Sequence, residues 1–284
     1  MNPALGALLV GASCIALSPI FVRLSEAGPT ATAFWRVALA VPVLWILVFT
    51  KRSSLGNFSG KTFLLLAAGL AFAGDLAFWH TSIKLTSVAN STLLANLASI
   101  FVTLAAWIFL RQRPTRLFLA GLAAALAGVL LLVYTSLEFS PTGLAGDALG
   151  VVTAMFYAAY LLTVKRLRDR GETTLHLMAV TTTITALLLA PVAIATGEQF
   201  FPNTGAGWLV LLGLALISHA AGQGLIAYAL AHLPAAFSSV SLLFQPVMAA
   251  LFAWLLLSEP LVPLQLAGGL IVLAGIYLAR RGSA

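Results

Sequence analysis

The sequence predicts an all-α membrane protein: ten transmembrane helices arranged as two inverted five-helix repeats, with both termini cytoplasmic. Three observations carry that expectation. The chain contains ten apolar runs long enough to cross a bilayer. Its basic residues fall almost wholly on alternate loops. Its second half repeats part of its first at a shift of 147 residues. Composition agrees, since 61% of the 284 residues are hydrophobic and 8% are charged, where an ordinary globular domain carries about 25% charged residues. Fifteen Lys and Arg with eight Asp and Glu cannot cover the surface of a soluble fold of this size. A cytosolic enzyme, a nucleic-acid binder and a disordered scaffold are excluded on that ground. The single cysteine, Cys14, excludes an internal disulfide framework and a multi-cysteine metal site.

A helix that crosses the hydrocarbon needs roughly 20 apolar residues. The runs lie at about 3–24, 29–50, 62–83, 87–110, 115–136, 146–166, 174–196, 206–231, 234–257 and 260–281. Span 1 follows Met1-Asn2-Pro3 and stops at the turn Ser25–Pro29. Span 2 stops at Lys51–Lys61, span 3 at Lys84–Ser87, span 4 at Arg111–Thr115 and span 5 at Leu137–Gly146. Span 6 stops at Lys165–Thr173, span 7 at Gly197–Gly205, span 8 at His232–Pro234 and span 9 at Ser258–Pro260, leaving span 10 to run almost to the last residue. Backbone groups must be paired inside lipid, so each run is read as a helix. The runs are too long and too evenly apolar for barrel strands, which alternate over about 10 residues. No stretch remains for a soluble domain. The first residues lack the basic start of a secretory signal, and Cys14 after Gly11-Ala12-Ser13 is read as a small packing residue, not a lipidation site.

Loop charges set the orientation. The side that holds the N-terminus receives twelve of the fifteen basic residues: Lys51, Arg52, Lys61, Arg111, Arg113, Arg116, Lys165, Arg166, Arg168, Arg170, Arg280 and Arg281. The other side receives Arg23 and Lys84, while Arg36 lies inside span 2. Glu26, Glu138, Asp147, Glu198 and Glu259 collect opposite the basic loops. The positive-inside rule then places both termini in the cytoplasm. The net charge of +7 therefore records topology, and no nucleic-acid partner is expected.

Residues 104–131 meet 251–278 without a gap, and the paired frames Trp107-x13-Gly121-x6-Gly128 and Trp254-x13-Gly268-x6-Gly275 carry the match. The repeats are read as 1–140 and 141–284 within one integral membrane domain. Five spans per repeat is odd, so the second copy is inverted. That architecture is the usual basis of alternating access around a midplane site.

Together these features resemble the drug/metabolite transporter superfamily, and its EamA family in particular. The resemblance rests on Ser258-Glu259-Pro260 followed by Gln265-x2-Gly268-x-Leu270-Ile271-x3-Gly275, on Phe34-Trp35-Arg36, and on Gly146-Asp147-Ala148-Leu149 opening the second repeat. It extends over essentially the whole chain. One departure is Gln112 in the first repeat where the second has Glu259. The resemblance implies a ten-helix exporter or exchanger of small metabolites in the bacterial inner membrane, similar to members that export amino acids, aromatic ones among them. The implied partners are a small-molecule substrate and the bilayer, in a monomer or homodimer. Neither a cofactor nor a metal is expected, and no enzymatic activity.

Candidate cavity residues are the few polar groups within the spans. Asp75 is the only acid in the middle of a span, and an intramembrane charge usually faces an aqueous cavity or a partner. Phe72, Asp75, Trp79 and Ser82 share one helical face. His80 points away from that face, toward another helix or the outer interface. His219 and Gln223 are four apart on span 8, beside Gly222 and Gly224. The repeat shift pairs His219 with Phe72. Tyr157 and Tyr160 on span 6 offer rings and hydroxyls at mid-membrane. Thr92, Asn96 and Ser99 form a polar stripe on span 4, and Ser238, Ser241 and Gln245 another on span 9, just before Pro246. Ser18-Pro19 interrupts span 1. The candidate substrate cavity is therefore Asp75, Trp79, His80, Asn96, Tyr157, Tyr160, His219, Gln223, Ser241 and Gln245, built from spans 1, 3, 4, 6, 8 and 9. Arg36 could recognise a carboxylate by bidentate pairing or snorkel outward to an external acid, and the structural reading is favoured. Gly121, Gly128, Gly268 and Gly275 are read as packing or dimer contacts. Asp75, His80 and His219 are the groups able to couple protons. Gly56-x3-Gly60-Lys61-Thr62 lacks one residue of a phosphate loop and follows no strand, so it is not a nucleotide site.

Overall fold

The structure is a computed structural model, which describes residues 3–51, 60–137, 143–258 and 260–283. Glu138, Glu259 and residues 56–59 of the glycine stretch lie outside the described residues. Every described regular element is helical. Among the described residues, ten helices are long and apolar enough to cross a membrane: Pro3–Leu24, Pro29–Thr50, Thr62–Leu85, Ala89–Phe109, Arg116–Val133, Leu144–Asp169, Thr174–Ala195, Gly205–Ala229, Ala235–Leu256 and Pro263–Gly282. These are spans 1 to 10.

Several spans are broken where the sequence removes a donor. Span 1 divides into Pro3–Ala16 and Ser18–Leu24, because Pro19 has no N–H to offer the carbonyl four residues back. Span 9 divides at Leu242 and Leu243, four and three residues before Pro246, for the same reason. Span 4 divides at Asn96 and Leu97 without a proline; there the Asn96 side chain donates to the Thr92 carbonyl at 2.9 Å. Residues Leu214–Gln223 of span 8 wind as a π-helix. Spans 4 and 9 both end on a left-handed residue that is not glycine, Arg111 at φ 55° and Ser258 at φ 56°, 147 positions apart.

Small residues set the helix crossings, as expected where lipid offers no hydrophobic drive between helices. Spans 5 and 10 lie backbone to backbone. A Cβ on Gly128 would stand 2.7 Å from the Gly268 carbonyl oxygen, and one on Gly268 would stand 2.8 Å from that of Gly128. The four glycines expected at packing or dimer contacts thus pack within one chain. Spans 1 and 8 cross at Gly11, whose Cβ would stand 2.8 Å from the Gly222 carbonyl oxygen. Span 3 lies along span 6, where Ser82 Oγ donates to the Gly146 carbonyl at 2.7 Å.

Loops tie the halves together on both faces. On one face Glu26 accepts from the Asn203 and Thr204 amides at 2.7 and 2.9 Å. Glu198 accepts from the Thr30 amide at 2.9 Å and pairs with Lys84. Trp35 Nε1 donates to the Phe200 carbonyl at 2.7 Å, within a cluster of rings that includes Phe34, Phe201 and Trp208. On the opposite face Glu172 pairs with Lys61 at 3.1 Å and with His176 at 2.6 Å. Arg170 Nη1 also reaches the Gly60 carbonyl there at 3.2 Å. Hydrogen bonds from the Thr204 hydroxyl and amide hold the Glu26 carboxyl below the usual carboxylate range.

Candidate functional site

The breaks in spans 1, 4 and 9 and the π-helical stretch of span 8 converge on one cavity, with about 740 Å³ of empty space counting its open mouth. Discontinuous helices around a site within the membrane are a transporter feature. Ile15, Ala16, Ser18 and Pro19 of span 1 form one wall. Asp75, Leu76 and Trp79 come from span 3, Thr92, Ala95 and Asn96 from span 4, and Thr153 and Tyr157 from span 6. Gln223 of span 8 and Gln245, Pro246 and Ala249 of span 9 complete the lining, together with Arg36 of span 2.

Six of the ten anticipated residues meet here: Asp75, Trp79, Asn96, Tyr157, Gln223 and Gln245. The other four are held elsewhere. His80 is fully buried, with its Nδ1 2.7 Å from the Leu76 carbonyl oxygen of its own helix. Tyr160 packs on Phe72 with ring centroids 4.7 Å apart, and its hydroxyl faces Met178 Sδ at 3.9 Å. His219 Nε2 lies 2.8 Å from Thr182 Oγ1 on span 7, and its ring stacks on Phe72 at 5.3 Å. Ser241 Oγ donates back to the Phe237 carbonyl at 2.9 Å. Of the three groups considered for proton coupling, only Asp75 faces the cavity.

Arg36 overturns the snorkelling expectation. It is 4% exposed, lines the cavity and makes no ion pair with an external acid among the described residues. Glu198, the acid beside Thr30 at the start of that helix, is taken by Lys84. Thr153, which nothing in the sequence marks out, also lines the site. The sequence signal that pointed to Arg36 was its rank as one of two charges inside the spans.

Six buried polar atoms of this lining have no hydrogen-bond partner within the protein among the described residues: Ser18 Oγ, Arg36 Nε, Thr92 Oγ1, Thr153 Oγ1, Tyr157 Oη and Gln223 Oε1. The Tyr157 hydroxyl lies beside the carboxamides of Gln223 and Gln245, yet no hydrogen bond closes on it. Buried polar groups in native structures are nearly always satisfied by protein groups or by water, so these atoms make the hollow a polar one, fit for water or a polar guest.

The family model described as the EamA-like transporter family matches residues 2–134 and again 144–281. A protein of Archaeoglobus fulgidus named an uncharacterized transporter is 32% identical, over 91% of each chain. The pseudopaline exporter CntI of Pseudomonas aeruginosa is 26% identical over 97% of this chain and 96% of its own. A probable amino-acid metabolite efflux pump of Salmonella typhimurium is 28% identical over 76% of this chain and 75% of its own. One crystal structure superposes with a TM-score of 0.86 over 99% of this chain and 98% of the other, at 16% identity, which speaks to the fold alone. Ten apolar spans among the described residues and a family match over both halves make this multi-pass membrane protein a transporter that belongs to the EamA-like transporter family.

Proposed function

We propose that the protein is a secondary transporter that exports small metabolites, chiefly amino acids including aromatic ones, across a bacterial inner membrane by alternating access. The six unsatisfied polar atoms around the cavity carry this reading, because they make it fit for a polar guest, while Ile15, Leu76, Trp79 and Tyr157 give it apolar and aromatic walls. The Salmonella relative's name points to the same substrate class. The basic loops favour cytoplasmic termini. Division into repeats 1–140 and 141–284 is supported by the double family match, by the left-handed helix ends 147 positions apart, and by the stacked pair Phe72 and His219. Groups of spans then rock around the cavity to open it to either side.

Purified protein in liposomes is expected to exchange internal unlabelled amino acid for external labelled amino acid, with saturation. A panel of amino acids, nucleosides and sugars tests the class. Saturable exchange of nucleosides or sugars, with none of any amino acid, would overturn the substrate assignment. Unsaturable flux without counterflow would make the protein a channel.

The two tyrosines of span 6 give a sharper expectation. Tyr157→Phe removes an unsatisfied hydroxyl from the cavity, so the half-saturation concentration for exchange should rise by about 2- to 10-fold, the worth of one hydrogen bond. Tyr160→Phe should leave it unchanged, because that hydroxyl faces Met178. Equal effects from both would show that the cavity hydroxyl does not touch the substrate.

A further inference from the structure

Two side chains of opposite charge face the cavity from inside the spans, Arg36 and Asp75. At the helical rise of about 1.5 Å per residue, Arg36 lies about 10 Å along span 2 from Pro29, and Asp75 about 15 Å along span 3 from Leu85. Those helix ends belong to one face, since Glu198 holds both the Thr30 amide and Lys84. The two charges therefore sit at neighbouring depths. Each lies in the other's electrostatic field, yet no ion pair closes between them among the described residues.

That gap is informative. Opposite charges attract strongly in a low-dielectric interior, and an intramembrane charge without compensation is costly. A pair that stops short of contact, with Arg36 Nε unpartnered and 96% of the residue's surface covered, leaves room for something that satisfies both. A guest without charged groups would leave both charges without a counter-charge. We infer that Arg36 and Asp75 hold the two poles of a zwitterion. The Arg36 guanidinium receives the α-carboxylate on its fork of N–H donors, the Asp75 carboxylate receives the α-ammonium, and Trp79, one helical turn from Asp75, packs on the side chain. The assignment rests on the transporter reading above and adds a requirement to it: the guest must carry both charges.

Competition in the liposome exchange assay separates the poles. Phenylalanine is compared with phenethylamine, which lacks the carboxylate, and 3-phenylpropionate, which lacks the ammonium; leucine, isopentylamine and 4-methylpentanoate serve as a second set. The wild type should favour each amino acid over both of its analogues by at least about tenfold, as expected for a lost charge-assisted hydrogen bond. Arg36→Gln should narrow the gap to the amine and keep the gap to the acid, and Asp75→Asn should do the reverse. Arg36→Lys should recover part of the discrimination and guards against a folding defect. The inference is overturned if the wild type exchanges the analogues as well as the amino acids, or if both variants weaken exchange with discrimination unchanged. A wild type that exchanges no amino acid overturns the transporter's substrate class instead, which is a distinct result.

Discussion

Leucine at Gly128 or Gly275 is expected to abolish the folded protein. A Cβ on Gly275 would stand 2.5 Å from the Ala125 amide nitrogen and 2.6 Å from the Gly121 carbonyl oxygen. One on Gly128 would stand 2.7 Å from both the Gly268 carbonyl oxygen and the Val272 amide nitrogen. Those neighbours are backbone, so no rotamer change relieves the clash and spans 5 and 10 must separate. Overpacking by even a methylene or two costs about 1–3 kcal/mol, and a whole isobutyl group multiplies the misfit along an interface built on close approach. Detergent extraction and size-exclusion chromatography check the outcome, with loss of the monodisperse peak expected for both leucine variants. Gly275→Ala should survive with a lowered melting midpoint. Gly224→Ala is the control. A Cβ there meets nothing within 4 Å, so alanine should be neutral or stabilising by up to about 1 kcal/mol through helix propensity. A Gly275→Leu protein as stable as the wild type would show that spans 5 and 10 do not meet as described.

Removing the Glu172 carboxylate is expected to cost about 1.5–3 kcal/mol at neutral pH, the range for hydrogen bonds to a charged group. Glu172 is 2% exposed and receives Lys61 and His176 at 3.1 and 2.6 Å. Lys61 keeps 20% of its side-chain surface, so the effect falls below the roughly 3–5 kcal/mol of breaking a fully buried pair. Burial pushes the Glu172 carboxyl up, but the hydrogen bonds and charges of His176 and Lys61 outweigh it and hold it below its ordinary value. A depressed folded value means that the contribution is complete above the ordinary carboxylate value of 4.5 and is lost as pH falls through the folded one. The difference in melting midpoint between wild type and Glu172→Gln should therefore be fully present above pH 4.5 and shrink below it. Glu26 shifts in the same direction but is present in both proteins and cancels. A difference that stays constant or grows below pH 4.5 would contradict the assignment.

The spans were legible because the membrane restricts composition so severely, and the described helices fall within a few residues of the apolar runs. Asp75 was legible for the same reason, as a lone acid in hydrocarbon, and it lines the cavity. Helical periodicity then reached its limit. It places Phe72, Asp75, Trp79 and Ser82 on one face, but it does not say what that face meets. The stripe is shared between the cavity at Asp75 and Trp79, a stack with Tyr160 and His219 at Phe72, and a hydrogen bond to Gly146 at Ser82. Ser241 and His80 were drawn in by polarity alone, and contacts to their own helices engage them. Arg36 was misread because a long side chain near a helix end ordinarily reaches for water. Here the acid near that helix end is already held by Lys84. Thr153 gave no signal, as a single hydroxyl in an apolar run most often serves as interhelical glue.

The transported molecule is expected to occupy the hollow lined by spans 1, 2, 3, 4, 6, 8 and 9. Ala95 and Ala249 line it, are half-buried, and sit on different helices. A tryptophan at either position is expected to block the hollow. The decisive measurement is labelled amino-acid counterflow in liposomes carrying wild type, Ala95→Trp or Ala249→Trp at matched amounts of monodisperse protein. Saturable counterflow in the wild type that is lost in both plugged variants is the expected result. Undiminished counterflow through both plugged proteins would mean that the substrate takes another route.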